Sequence, residues 1–443
     1  MSSRKFFNTI VQKTKPLQFF LIVVLCCTFA LVAASFLPQE AIRQNLSESL
    51  PRLIEEGSSP YLYEYTKSSR LDNWSESLIL AEAFNMNSKD LTSVFTNPRL
   101  TRIDDSYILS LQALVEDDVP PDITYVRYWM GFRVTVRLLL CFFNLAQIRR
   151  ILCAVFFSLL AAVILSLAKH TNNFIAFAFS LSMILVSPEV ICCSMQYTCC
   201  FLIAFAGMLL APYVSSHKQY TTYYFMALGI ATMYFDFYTT PSITFVLPIL
   251  YLLLLNRASS ENSTKASILF SLKSAAIWLS SYVGMWVAKL ALTSIFTDVN
   301  GFGDGIGAFF SRIGIEKEDS LSSAYNPIRA LLFAGLGVCD DVVGAVLCGI
   351  FFIAVLTAWF VIFKRANGTF EHIKENLVYL VVLLIPIIWL MVSAQPTVIH
   401  YGYQHRTLVG TFFAAFVFLI MTLVSAGAPI VSDKRASKPL SAE

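Results

Sequence analysis

Long apolar runs separated by short polar segments dominate the chain. About 20 apolar residues cross the hydrocarbon core of a bilayer as one helix. The pattern therefore predicts an all-α polytopic membrane protein with about ten transmembrane helices. The predicted spans cover residues 17–37, 150–168, 172–187, 196–213, 222–237, 241–256, 269–295, 343–363, 377–394 and 407–426.

Two long segments, 38–149 and 296–342, separate groups of these runs and predict external loops that contain juxtamembrane helices. The first run is longer than the roughly 7–15-residue core of a signal peptide, which predicts an uncleaved first transmembrane helix. The predicted layout is a cytoplasmic N-terminus (1–16), the first transmembrane helix (17–37), an external loop with amphipathic helices (38–149), transmembrane helices two to seven (150–295), a second external loop (296–342), transmembrane helices eight to ten (343–426) and a cytoplasmic tail (427–443).

The distribution of charge predicts the orientation of these spans. Basic residues such as Lys218 and Arg257 occur in the short loops on the N-terminal side. The three short loops on the opposite side, near 188–195, 238–240 and 395–405, contain no Lys or Arg. Cytoplasmic loops of membrane proteins are enriched in Lys and Arg. We therefore expect a multi-pass protein of the cell (plasma) membrane with both termini in the cytoplasm.

Composition agrees with the membrane class. Hydrophobic residues make up 56% of the 443 residues and charged residues 14%, whereas soluble domains carry about 25% charged residues. The net charge of +3 gives no indication of nucleic-acid binding.

Two segments between the predicted spans need a separate interpretation. Residues 131–147 are apolar, but Arg133 and Arg137 interrupt them. We expect an amphipathic helix on the outer surface here, because a further span would place all later basic loops outside. The second external loop opens with NGFGDGIG (300–307), and a glycine-rich segment of this kind is typical of a mobile loop.

The motif SRLDNWSESLILAEAF (69–84) predicts an amphipathic helix at the membrane surface. Asp72 and Glu76 are four residues apart and share its polar face. A partly desolvated carboxylate suits a general base for an acceptor hydroxyl, which makes both residues candidate catalytic groups. The alternative is structural: Ser69 and Asp72 have the spacing of a capping box.

A second acidic pair, Asp104 and Asp105, follows Arg102. Adjacent carboxylates could hold a divalent cation together with substrate phosphates, since Mg²⁺ needs only one or two of them. The structural alternative is a capping box in which Thr101 and Asp104 begin a helix.

Arginines follow in YVRYWMGFRVTVR (125–137), where Trp129, Arg133 and Arg137 are spaced by four residues and line one face. Arginine binds phosphate through a planar fork, so a row near the headgroups suits a lipid-linked phosphate or pyrophosphate. The alternative is an ordinary interfacial belt of aromatic and basic residues.

Two further polar motifs lie at the same predicted membrane face. YFDFYTTP (234–241) places Asp236 at the edge of the hydrocarbon, where an acid is costly unless it is paired or hydrated. QPTVIHYGYQHR (395–406) suits hydrogen bonding to sugar hydroxyls or phosphate, with an ordinary interfacial loop as the alternative. Its candidate substrate-binding residues are His400, Tyr403, His405 and Arg406.

Ten cysteines include the dense cluster Cys192, Cys193, Cys199 and Cys200 near one membrane surface. A metal site in this cluster is conceivable, but the missing His or carboxylate ligand pattern argues against it. The sequence leaves a disulfide within the cluster open.

The layout and its motifs resemble the GT-C superfamily of polytopic glycosyltransferases, which use polyprenyl-phosphate-linked sugars. The resemblance rests on a carboxylate such as Asp72 in the first external loop, the basic start of the second span in QIRRIL (147–152), SPEV (187–190) after the third span, and the second long loop. DNWSES, RYWMG and DFYTTP also resemble motifs of a bacterial branch of multi-span proteins. The gap between the first span and Asp72 is longer than the family pattern.

The resemblance implies an enzyme that moves a sugar from a polyprenyl-phosphate carrier to an envelope polysaccharide, lipid or protein on the external face. Asp72 would act as the base, and Arg127, Arg133 and Arg137 would stabilise the departing phosphate. The alternatives are a transporter or flippase of a lipid-linked or small polar solute, and a non-catalytic envelope assembly protein. The absence of an evident internal repeat favours the enzyme over the transporter.

Overall fold

The computed structural model describes residues 2–64, 66–236, 238–257, 263–312 and 327–428. These residues form α-helices and isolated bridges, with no β-strand among them, which confirms the all-α class. In chain order the helices are α1 (Ser2–Ser35), α2 (Gln39–Glu56), α3 (Asn73–Phe84), α4 (Ser93–Thr96), α5 (Tyr107–Glu116), α6 (Phe132–Leu140), α7 (Leu145–His170), α8 (Asn173–Ile184), α9 (Pro188–Ile191), α10 (Met195–Ser216), α11 (Thr221–Phe235), α12 (Ile243–Arg257), α13 (Thr264–Phe296), α14 (Gly301–Arg312), α15 (Pro327–Cys339), α16 (Val342–Arg365), α17 (Phe370–Lys374), α18 (Leu377–Val392), α19 (Ala394–Ile399), α20 (Tyr401–Gln404) and α21 (Val409–Ser425).

Six stretches of helix among the described residues are long and apolar enough to cross a membrane, which supports a membrane protein. The other four predicted spans fall on α8, α11, α12 and α18, which have 12 to 16 residues. Helices of that length measure about 18–24 Å, less than the roughly 30 Å of hydrocarbon. The count of ten spans therefore stays a prediction. The six stretches are Lys15–Ser35, Leu145–His170, Met195–Ser216, Thr264–Phe296, Val342–Arg365 and Gly402–Ser425.

Residues 38–149, called the first insert below, fold into a helical body with an apolar core of its own. The body contains α2 to α6, and it rests against the start of α7 and α10. The sequence predicted helices here but not a packed core. Members of that core include Leu46, Leu53, Leu80, Leu111 and Leu140.

Helix α3 lies at the centre of the first insert. It was predicted to be amphipathic, but eleven of its twelve residues are buried and only Trp74 is partly exposed. The reason is that α2, α5, α6 and α10 contact α3 from different sides. Its acidic residues, Glu76 and Glu82, are consequently buried inside the protein rather than exposed on a polar face.

Two expectations about the inserts need correction. Helix α6 has nine residues, about 14 Å, which is too short to cross the membrane, but its arginines face the protein interior rather than the surface. The Gly-rich segment forms α14 instead of a mobile loop. A Cβ atom at Gly301 or Gly305 would lie 2.7 Å from atoms of Leu290, so the missing side chains let α14 pack closely on α13.

Candidate functional site

The centre of the candidate site is a pair of stacked tyrosines with an arginine over both rings. Tyr197, in the first turn of α10, stacks on Tyr403 with ring centroids 5.8 Å apart. The guanidinium carbon of Arg406 lies 5.2 Å from the Tyr197 ring centre and 5.9 Å from that of Tyr403. These distances are those of cation–π contacts. We call these three residues the tyrosine–arginine centre.

Asp72 borders this centre from the start of α3. Its carboxylate accepts hydrogen bonds from the backbone N–H of Ser75 at 3.0 Å and from the Ser75 hydroxyl at 2.7 Å, which makes Asp72 the N-cap of the helix. It is 6% exposed, and its charge acts on Tyr197, Tyr403 and Arg406. The capping box that begins at Ser69 is therefore wrong, but the other part of the structural alternative, Asp72 at the start of the helix, is confirmed. Asp72 caps the helix and also borders the centre.

Asp236 approaches the centre from another part of the chain. It follows α11, is buried, and accepts hydrogen bonds from the backbone N–H of Thr239 at 3.0 and 3.2 Å. Its charge also acts on Tyr197. Burial raises the pKa of Tyr238 to about 12, and the Asp236 carboxylate adds to this rise. Asp72 and Asp236 are 164 residues apart in sequence, and the charges of both act on Tyr197.

Two arginines flank Tyr403. Arg406 is fully buried, and its terminal nitrogens donate to the carbonyl oxygens of Ser68 at 3.2 Å and Gly402 at 3.3 Å. Arg70, which is half-buried, has its guanidinium carbon 5.9 Å from the Tyr403 ring centre. The Nε atoms of both arginines are buried without a hydrogen-bond partner among the described residues. Each arginine therefore keeps a donor that no described protein group uses.

The two predicted histidines lie in the same segment as Tyr403 and Arg406. His405 is fully buried next to Arg406. His400 is half-buried at the start of α20, and its backbone N–H donates to the carbonyl oxygen of Pro396 at 2.8 Å. Their role in substrate binding stays a prediction.

Glu76 lies one helical turn after Asp72 and is 1% exposed. Its Oε1 accepts a hydrogen bond from the backbone N–H of Met195 at 2.6 Å, and its Oε2 lies 4.0 Å from Nε of Arg149. Burial raises the pKa of Glu76 to about 7, and the neighbouring Asp72 adds to this, while Arg149 and the Met195 N–H oppose it. A carboxyl with this pKa exchanges its proton near neutral pH.

Arg149 holds the start of α3 in place. It donates to Oδ1 of Asn73 at 2.6 Å and pairs with Oε2 of Glu56 at 3.0 Å. Asn73 in turn donates to Glu56 and to the carbonyl oxygen of Gly57, both at 2.9 Å. This network fixes the position of Asp72, because Asp72 directly precedes Asn73. It also explains the basic residue at the start of the second predicted span.

Arg133 and Arg137 lie away from the centre, which corrects the expectation of an arginine row near the headgroups. Both are fully buried. Arg133 donates to the carbonyl oxygen of Val94 at 2.8 Å, and Arg137 donates to those of Ala34 at 2.9 Å and Ala83 at 2.6 Å. Burial lowers the pKa of each arginine to about 10, so both stay charged at neutral pH. Their donors connect backbone segments and are not directed at a ligand.

An apolar cavity of about 280 Å³ adjoins the site, and Arg127 lies at its wall, paired with Asp304 at 3.2 Å. Tyr238, two residues after Asp236, also lines it, which brings the cavity close to Asp236. The remaining lining is largely apolar and includes Met233, Leu279, Val283, Trp286, Phe309 and Trp389.

A second cavity of about 260 Å³ lies on another side of the centre. Ser68 and Gly402 line it, and the carbonyl oxygens of both accept hydrogen bonds from Arg406. Asp340 and Asp341 line it as well, and Asp340 accepts a hydrogen bond from the Ser68 backbone N–H at 2.6 Å. One cavity therefore borders the tyrosine–arginine centre at Ser68 and Gly402, and the other lies beside Asp236 at Tyr238.

Asp104 and Asp105 lie elsewhere, exposed on the first insert with left-handed backbone angles φ of 47° and 56°. Asp105 lies 3.4 Å from Arg102, and Ser106 caps α5, so the predicted capping box of Thr101 is wrong. Within the described ranges, neither acid belongs to a group of three metal-ligating side chains. A divalent cation at this pair stays a prediction without support from the geometry.

Sequence reasoning missed Tyr197 and Arg70. Tyr197 lies at the start of a predicted apolar span, where a tyrosine is common and gives no specific signal, and Arg70 lies inside the motif that identified Asp72. A comparison with known protein families, curated proteins and solved structures gives no match. The function is therefore argued from the site alone.

Proposed function

We propose that this protein is a membrane glycosyltransferase that moves a sugar from a polyprenyl-phosphate carrier to a hydroxyl of an envelope polysaccharide, lipid or protein on the external face of the plasma membrane. The observation that carries the proposal is the convergence of Asp72, Asp236 and Arg406 on Tyr197. Ionisable groups are costly in an apolar bundle and are typical of functional sites there.

The chemistry assigns one role to each kind of group. Asp72 accepts the proton of the acceptor hydroxyl, and the hydroxyl oxygen forms a bond to the anomeric carbon. The bond from that carbon to the carrier phosphate breaks, and the phosphate leaves with the electron pair, which inverts the configuration. Arg406 and Arg70 stabilise the charge of the departing phosphate, because buried cations act strongly where water is excluded.

The apolar cavity supports a lipid-linked donor. Its aromatic and aliphatic lining suits an isoprenoid chain, and ligand pockets are typically apolar with a few placed polar groups. Tyr238 connects this cavity to Asp236, so a chain bound there would bring its phosphate towards the tyrosine–arginine centre. Arg127 at the cavity wall adds a further cation near that path.

The test is Asp72→Asn in the full-length protein, assayed for sugar transfer from a synthetic polyprenyl-phosphate sugar. Asparagine caps a helix about as well as aspartate, so the fold should persist while the base is lost. We expect transfer to fall by about 10²–10⁴. Asp104→Asn is the matched control, because Asp104 is exposed and distant from the centre. Unchanged transfer by correctly folded Asp72→Asn protein would refute the proposal.

A transporter or flippase is the second candidate, favoured by a cavity of about 770 Å³ at the other end of α10, whose mixed lining includes the polar residues Ser215, Asn256 and Arg257. Between the two ends, α10 and α12 present buried apolar residues such as Phe205 and Leu250, which favours the transferase. The two functions predict different outcomes in cells that lack the protein. Donor that accumulates in the outer leaflet indicates a transferase, and donor retained in the inner leaflet indicates a flippase.

A further inference from the structure

Three cysteine thiols meet where α7 faces the loop after α9. The Sγ atom of Cys153 lies 3.0 Å from that of Cys192 and 3.8 Å from that of Cys193, and all three sulfur atoms lie within 4.8 Å of one another. Cys192 is buried and the other two are half-buried. The three side chains come from two separate segments, 39 residues apart in sequence. We call these residues the thiol cluster.

The membership of this cluster differs from the group visible in the sequence. Cys199 points its thiol to the carbonyl oxygen of Met195 at 3.3 Å, and Cys200 lies beside Asp236. Neither is part of the cluster, whereas Cys153 from the preceding span is. All ten cysteines lie in the described ranges as free thiols.

The spacing of the sulfur atoms suits shared coordination of one metal ion. Thiolates bound to one ion at about 2.3 Å lie about 3.8–4.0 Å apart. The Cys153–Cys193 distance already has this value, and the Cys153–Cys192 distance needs to open by about 1 Å. Soft thiolate ligands select thiophilic ions such as Cu(I), which accepts three ligands.

The surroundings can balance the charge of bound thiolates. Arg149 lies one turn before Cys153 on α7, and its charge acts on both Cys153 and Cys193. Within the described ranges the group contains no carboxylate or histidine, so it offers three sulfur ligands. A three-sulfur set fits Cu(I) better than Zn²⁺, whose sites are almost always four-coordinate.

We propose that Cys153, Cys192 and Cys193 form a trithiolate site for one soft metal ion, with Cu(I) as the best match. This site is separate from the proposed glycosyl transfer, in which none of the three thiols takes part. It assigns a role to a cluster that the transferase chemistry leaves unexplained.

The test uses reduced, full-length protein purified in detergent without oxygen. Cu(I) is titrated against a chromophoric Cu(I) chelator, and the near-ultraviolet absorption of the copper–thiolate bond is recorded. We expect one ion per chain. Cys153→Ser, Cys192→Ser and Cys193→Ser should each weaken binding by more than about 100-fold, since loss of outer-shell partners alone weakens metal binding by 10–100-fold. Cys199→Ser is the matched control and should bind like the unmodified protein.

The proposal fails if the reduced protein does not bind Cu(I), or if binding is the same in the three cluster variants and in Cys199→Ser. Thermal melting and size-exclusion profiles of each variant establish that it is folded. Where a serine variant does not fold, the alanine variant at the same position replaces it, because cysteine behaves as a small apolar residue in packed interiors.

Discussion

The two ends of α3 carry the same kind of residue in two different neighbourhoods. Glu76 near the start and Glu82 near the end are both fully buried, and burial raises the pKa of each to about 7. Glu76 lies beside Asp72 and accepts a hydrogen bond from Met195. Glu82 has no hydrogen-bond partner for either oxygen among the described residues, and its ion pair with Arg99 is long, at 3.8 Å.

The difference shows that a raised pKa alone does not identify a functional site, and that the neighbouring groups have to be considered as well. The Glu76 end has a second acid, Asp72, whose charge acts on the stacked tyrosines. At the Glu82 end, Arg133 donates to the carbonyl oxygen of Val94, and the amino group of Lys289 donates to that of Phe95. Arg406 also donates to backbone carbonyl oxygens, so the second acid and the stacked rings distinguish the first end. We therefore assign function to the first end and architecture to the second.

The largest expected effect on the architectural end comes from Arg133→Met. It removes a buried cation near Glu82 and leaves backbone carbonyl oxygens such as that of Val94 without their donor. A buried acceptor that loses its donor costs about 1–3 kcal/mol of unfolding free energy. We expect a markedly lower melting temperature in detergent and a lower level in the membrane. Arg150→Met, in an exposed arginine, is the control, and equal melting of the two variants would contradict the assignment.

At the other end, Arg406→Lys should lower turnover as well as stability. Lysine keeps the positive charge, but it lacks the planar fork that donates to Ser68 and Gly402 and lies over both tyrosines, where the proposal puts the leaving phosphate. We expect turnover to fall by about 10²–10³, as for loss of one donor to a developing charge. The measurement is transfer rate together with melting temperature.

Arg133→Lys provides the comparison for that result. It should lower the melting temperature and leave the turnover of the folded fraction unchanged. If both lysine variants changed turnover equally, the functional distinction between the two ends of α3 would be wrong.

The stability of Glu82→Gln at several pH values tests how much the buried, ionised acid lowers the free energy of unfolding. The raised pKa of Glu82 means that the folded protein binds its proton more tightly than the unfolded chain. Its contribution to stability is complete below about pH 4.5 and is lost as pH rises through about 7. The free energy of unfolding of Glu82→Gln, measured relative to that of the unmodified protein, should therefore be higher at pH 8 than at pH 5 by up to about 3 kcal/mol.

The measurement is the melting temperature of Glu82→Gln and of the unmodified protein from pH 5 to pH 8, and the difference between the two is compared across this range. Glu116→Gln, in an exposed acid at the end of α5, should show a difference that does not change with pH. A constant difference for Glu82→Gln as well would mean that Glu82 is ionised in both states.

The sequence predicted the helical class, the positions of the apolar runs and four of the residues that meet at the centre, Asp72, Asp236, Tyr403 and Arg406. It could not predict which way the arginines of α6 face. A four-residue spacing defines a helix face, but only the packing of α1 and α3 against α6 decides whether that face is buried. Tyr197 was missed for a related reason, since a hydroxyl inside an apolar run gives no periodic signal.

The smallest expected effect concerns the pH dependence of transfer. As pH rises through about 7, Glu76 loses its proton and adds a second negative charge next to Asp72, which favours movement of the acceptor's proton towards the two acids. Transfer should therefore rise between pH 6 and pH 8, by less than about tenfold. Glu76→Gln keeps an acceptor for the Met195 N–H but cannot ionise, so its rate should be flat over this range.

Glu82→Gln is the matched control and should retain the rise, because the carboxyl of Glu82 does not face the tyrosine–arginine centre. If the rise persisted in Glu76→Gln and disappeared in Glu82→Gln, the assignment would be wrong, and the Glu82 end of α3 would be the functional one.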